Sequence, residues 1–169
     1  STNTASSNSS HGIRLASSSN NNTVSGNTVS SNSSYGIILN TSSNNTISNN
    51  TAQSNTSSGV YLLSGSNNNT LNGNALISNN SGIYLNGGAD NNTVRNNAIN
   101  SNTLYGVYVA SSSNNTIAQN DVNSNTQYQI YISGSSAADT VQKNNIKPSP
   151  TNPDSGVFNN TGNTFDLTR

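Results

Sequence analysis

The sequence predicts an all-β fold, a right-handed single-stranded parallel β-helix (solenoid) of about seven coils, each of 23–24 residues and three short strands. Three observations predict it: a fixed period, apolar/polar alternation over runs of three to five residues, and Ser/Asn/Gly turns between the runs. Thr followed by an apolar residue recurs at Thr23, Thr46, Thr70, Thr93, Thr116, Thr140 and Thr164. Gly-apolar-x-apolar begins at Gly12, Gly36, Gly59, Gly82 and Gly106, and Gln129 takes the place of the next glycine. Asn-x-apolar begins at Asn3, Asn27, Asn50, Asn74, Asn97, Asn120 and Asn144, in phase with the other two.

Each run is too short and too strictly alternating for a helix. The Gly strand points two side chains inward, such as Ile83 and Leu85, while the Thr and Asn strands point one each. About four apolar side chains per coil then suffice, because each coil covers the next. Composition alone suggests the opposite: 28% hydrophobic residues and about 38 asparagines resemble a low-complexity tract. The formal net charge of zero argues against disorder, which usually pairs weak hydrophobicity with high charge.

The asparagines have a structural role in such a solenoid. Their short amides tolerate left-handed backbone and bond their own turns. Stacked at 27, 50, 74, 97, 120 and 144, and at 8, 32, 55, 79, 102 and 125, they are expected to form amide ladders between coils. Asp139 stands where Asn22, Asn45, Asn69, Asn92 and Asn115 stand in earlier coils.

Residues 1–169 read as one β-helix domain interrupted by a Pro-containing loop at 147–155, and the start at Ser1 reads as a processed form or piece of a longer chain. Neutral charge removes the basic footprint of a nucleic-acid binder, and no apolar run reaches the ~20 residues of a membrane helix. A polar, uncharged, thiol-free chain leans towards an extracellular or cell-surface place, the periplasm included.

The stretch GIYLNGGADNNTVRNNAINSN, residues 82–102, resembles the repeats of the NosD-like periplasmic family and of the wider group of carbohydrate-binding and sugar-hydrolase β-helix domains. The resemblance covers nearly the whole chain and implies the fold. For the NosD-like family it also implies a link to copper delivery, which needs sulfur or imidazole ligands. The chain has no Cys or Met and a single histidine, His11, read as a surface turn residue, so no metal or cofactor is expected. The pectin-degrading relatives imply paired acids or Ca²⁺-binding acids. Asp90, Asp121, Asp139, Asp154 and Asp166 scatter over the repeat, with Asp121 and Arg95 the one pair placed to approach across coils, so the chain is expected not to be an enzyme.

Function is expected at three other places. Tyr61, Tyr84, Tyr108 and Tyr131 occupy the outward position of the Gly strand in four successive coils, preceded by Ile38 and extended by Phe158. This exposed stripe reads as a stabilising ladder, a lateral contact or a saccharide platform. Tyr35, Tyr105 and Tyr128, one residue before the Gly position, read as turn closers. The ends, at Asn3 and Ala5 and at Asn163 and Phe165, are in phase and complementary, which predicts head-to-tail self-association. Asn21, Asn44, Asn68, Asn91 and Asn114 begin Asn-x-Thr sequons, open to glycosylation in some coils, though a glycan on every coil is excluded by the ~4.8 Å spacing. The leading expectation is a structural solenoid, such as a fibre subunit; the alternative is a carbohydrate-binding module, and the third is a degenerate polysaccharide hydrolase or lyase.

Overall fold

The computed structural model describes residues 2–159 and 162–166. Its strands form three parallel seven-stranded sheets, and each sheet takes every third strand of the chain. The Asn-strand sheet runs from Thr4–Ser6 to Asn145–Lys147, the Gly-strand sheet from Ile13–Ala16 to Val157–Asn159, and the Thr-strand sheet from Thr23–Ser25 to Thr164–Asp166. The repeat fixes the register without a slip: Thr46 pairs with Thr70, Thr70 with Thr93, and Thr93 with Thr116.

The core is the expected narrow column. Ile83, Leu85, Val94 and Ile99 of one coil are fully buried, stacked under Val107, Val109, Ile117 and Val122 of the next. Four such side chains per coil give the solenoid a continuous core despite its polar composition. Among the described residues no helix is long and apolar enough to cross a membrane.

The two roles assigned to asparagine fall on different asparagines. The ladder residues are buried, apart from Asn8 in the first coil, and none of them has a positive φ. Left-handed backbone lies instead at the exposed sequon residues, with φ of 60° at Asn21, 59° at Asn44, 57° at Asn68, 57° at Asn91 and 59° at Asn114. The separation is physical: a side chain in the left-handed turn projects to solvent, whereas a bridging amide must project inward under the next coil.

Three ladders run along the solenoid. In the first, Asn97 Oδ1 accepts from the backbone N and the Nδ2 of Asn74, both at 2.9 Å, and Asn97 Nδ2 donates to Leu71 O at 3.0 Å. The second repeats this from Asn8 through Asn32, Asn55, Asn79 and Asn102 to Asn125. The third runs from Asn45 through Asn69, Asn92 and Asn115 to Asp139. Serines form a further staircase that composition alone concealed: Ser66 Oγ accepts from Ser42 N, and Ser112 Oγ from Ala89 N.

The glycine column and Gln129 belong to the second ladder. A Cβ on Gly36 would stand 2.6 Å from Gly59 O and 2.9 Å from Asn55 Nδ2, so the ladder amide occupies the space that a side chain would need. At the last ladder position there is no further asparagine, and the buried Gln129 supplies the missing acceptor. Its Oε1 takes bonds from Asn125 N (3.1 Å) and Asn125 Nδ2 (2.7 Å), while its Nε2 donates to Asn125 O and Ser155 O. The loop 147–155 packs down beside it, with Ser155 Oγ accepting from Ser149 N.

Candidate functional site

The outer face of the Gly-strand sheet carries one register column: Arg14, Ile38, Tyr61, Tyr84, Tyr108, Tyr131 and Phe158. Strand alternation puts these side chains opposite the core, as the sequence predicts. The rings stack at coil spacing. Tyr61 and Tyr84 have centroids 4.8 Å apart and planes 13° apart, and Tyr84 and Tyr108 are 4.5 Å and 3° apart, an offset parallel arrangement.

The stripe is nevertheless less exposed than the sequence suggests. Tyr61 is only 7% exposed, Tyr84, Tyr108 and Tyr131 are half-buried, and Phe158 alone is open, at 43%. The cause is a second set of rings, from the residue before the Gly position in three of the coils. Tyr35, Tyr105 and Tyr128 do not simply close turns; they fold onto the column. Tyr35 lies 4.6 Å from Tyr61, Tyr105 stacks on Tyr131 at 4.9 Å and 8°, and Tyr128 stacks on Tyr131 at 5.3 Å and 13°. His11 continues the series, 5.4 Å from Tyr35, and is half-buried rather than a free surface residue. Burial, then the nearby Arg14, holds its imidazole below the usual pKa of 6.5.

Three phenols are held neutral. Burial first, and then the neighbouring tyrosines, push Tyr84, Tyr35 and Tyr105 above the ordinary phenol range. Two hydroxyls are anchored by the next coil: Asn86 Nδ2 donates to Tyr61 Oη at 3.2 Å, and Ser133 Oγ to Tyr108 Oη at 3.3 Å. The result is a rigid aromatic track along the solenoid, bounded at one place by a cleft of about 180 Å³ beside Tyr84.

The acids do not converge. Asp121 lies on the Asn-strand sheet and Arg95 on the Thr-strand sheet, so they do not form the pair considered from spacing. Asp121 Oδ1 instead accepts from Asn123 Nδ2 and Asn145 Nδ2, each at 2.7 Å. Asp139 is fully buried in the third ladder, where its Oδ1 accepts from Asn115 N at 2.8 Å and Asn115 Nδ2 at 3.1 Å, as its place in the repeat predicts. Burial is the largest influence on its carboxyl; the Asn115 bonds oppose it and Asp90 adds to it, and the pKa is raised from 3.8 to about 6. Among the described residues no group of three or more His, Asp or Glu is placed to hold a metal ion.

At the N-terminal end, Asn3 donates to Asn27 Oδ1 and half-buried Ala5 packs on the core beside a mouth of about 380 Å³, lined also by Ile13 and Val24. At the other end Asn163 Oδ1 accepts from Asp139 N, and half-buried Phe165 pairs with Val141.

A three-sheeted parallel coil with internal amide ladders and an outer aromatic track defines a right-handed β-solenoid. The chain belongs to the right-handed β-helix family, whose sequence model, described as a right handed beta helix region, matches residues 1–146. No curated protein matches it by sequence. Among solved structures it is similar to the periplasmic alginate epimerase AlgG, at 22% identity and TM-score 0.77, over 95% of this chain and 43% of that one. It is also similar to the A-module of the mannuronan C-5 epimerase AlgE4 from Azotobacter vinelandii, at 18% identity and TM-score 0.75, over 95% of this chain and 52% of that one. The chain thus spans about half of the proteins it resembles. These findings correct the expectation that the chain is not an enzyme: the proteins sharing its coil geometry are enzymes, and scattered acids within about half of such a length do not support the exclusion.

Proposed function

We propose that this chain is the β-helix portion of a polysaccharide-modifying protein of the periplasm or extracellular space, and that its tyrosine track is the surface that holds the saccharide. The observation that carries this reading is the continuous ring stack from Tyr35 to Phe158 on an otherwise polar solenoid. The stacked rings cover one another's faces and present a fixed row of apolar edges to a saccharide at little entropic cost, with the phenol and amide groups beside them available to hydroxyls. The similarity to epimerases that act on alginate and mannuronan is compatible with it. Calorimetric titration with a panel of hexasaccharides, uronate and neutral, tests the reading. Tyr84→Ala with Tyr108→Ala should weaken binding at least tenfold, and a double variant that binds as tightly as the native chain overturns it.

A further inference from the structure

The column of residues that precedes the Gly position is not uniform. In chain order it reads His11, Tyr35, Ser58, Ser81, Tyr105, Tyr128 and Ser155, and backbone bonds tie its members coil to coil: Gly12 N to Tyr35 O, Gly36 N to Ser58 O, and Gly59 N to Ser81 O. Rings fold over the outer track above and below, but for two successive coils the residue is serine. Tyr35 still covers Tyr61, and both serines are buried, so the missing rings leave room only beside the half-buried Tyr84. Tyr35 leans onto Tyr61 on one side of the gap, and on the other Tyr105 packs on both Tyr108 (4.8 Å, tilted) and Tyr131 (4.9 Å, stacked). Between them lies the cleft of about 180 Å³, with Tyr84 and Tyr108 at its floor. Its lip is formed by Ser57, Asn80 and Leu104, which follow one another in the repeat through the bonds from Asn80 N to Ser57 O and from Leu104 N to Asn80 O, the first two supplying polar groups.

We propose that this cleft is a subsite for a single neutral pyranose ring, seated against the outward edges of the stacked Tyr84 and Tyr108 rings with its hydroxyls against Ser57 and Asn80. The proposal rests on the saccharide reading above and adds a position and a charge class to it. Size supports it: at about 30 Å³ per water, the cleft displaces roughly six waters, the scale of one sugar ring and not of an oligomer. Charge supports it as well. No charged side chain lines the cleft, so a carboxylate there would lose water without gaining a cation, whereas a neutral ring gives up only hydroxyl hydration that the lip replaces. An aromatic floor with a few polar groups at the rim is the usual make-up of a small-ligand site.

Filling the gap is the direct test. Ser81→Tyr places in the fourth coil the ring that Tyr35, Tyr105 and Tyr128 already provide in others, so the fold should keep its melting temperature. Calorimetry with cellohexaose and mannohexaose, against hexameric oligomannuronate, should show a neutral hexamer bound by the native chain and at least tenfold weaker binding by Ser81→Tyr. Asn80→Ala should lose about threefold to tenfold, and it decides the matter if Ser81→Tyr fails to fold. Native affinity in folded Ser81→Tyr, or in Asn80→Ala if that variant alone folds, overturns the subsite; a simultaneous loss in Tyr84→Ala with Tyr108→Ala then leaves the saccharide reading standing. Binding of oligomannuronate alone overturns the neutral assignment, and binding of no hexamer overturns both readings together.

Discussion

Two stacks of the same period run the length of this solenoid, and they differ in completeness. The inner asparagine ladders are continuous: position after position is filled by Asn, or by Asp139 and Gln129 where the sequence departs from the rule. The rings before the Gly position, which fold over the unbroken outer row, are interrupted by Ser58, Ser81 and Ser155. A buried amide that loses its partner leaves unsatisfied groups on both neighbouring coils, so the ladder tolerates few gaps. A ring on the outer face loses only packing when its neighbour is missing, so the column can be interrupted, and an interruption creates a place for something else.

Breaking the ladder should therefore cost more than breaking the column. Asn97→Ala removes the acceptor of Asn74 N and Nδ2 and the donor to Leu71 O and Asn120 Oδ1. The expected loss is about 3–4 kcal/mol, read as a fall in denaturant midpoint. Tyr108→Ala deletes one ring between Tyr84 and Tyr131 and should cost about 1–2 kcal/mol in the same assay. Equal losses in the two variants would erase the distinction drawn between the stacks.

Two smaller changes sharpen it from inside the third ladder. Asp139 Oδ2 is buried and has no hydrogen-bond partner, at the place where an asparagine would present its Nδ2. The carboxyl titrates at 3.8 when free and at about 6 when folded, so the fold favours its protonated form. Its contribution to stability is full below pH 3.8 and is lost as pH rises through about 6. Asp139→Asn should thus gain about 1 kcal/mol at pH 8 and show a flatter melting temperature between pH 4 and pH 8 than the native chain. Next to it, Ala138 holds a φ of 57° at the position where other coils place the sequon asparagines. Ala138→Asn should gain about 0.5–1 kcal/mol, because asparagine tolerates left-handed backbone and alanine does not; no change in melting temperature would count against that account of the exposed turn asparagines.

The sequence by itself determined the solenoid, its three strands per coil, the four core positions and the ladder columns, because all of these follow from period and alternation. Thr70 can meet Thr93 only if the coils stack in register, and the stacked Asn50, Asn74 and Asn97 then have no other place for their amides. It also placed Tyr61, Tyr84, Tyr108 and Tyr131 in one outward row. What only the tertiary structure decided was how side chains fold across columns. That Tyr35 covers Tyr61 while Tyr105 packs on both Tyr108 and Tyr131 depends on rotamers set by contacts between coils, which spacing along the chain does not encode. The division of asparagines between left-handed turns and bridging ladders was hidden for a similar reason, since neighbours such as Asn91 and Asn92 are identical in type and differ only in backbone angle and in which way the amide faces.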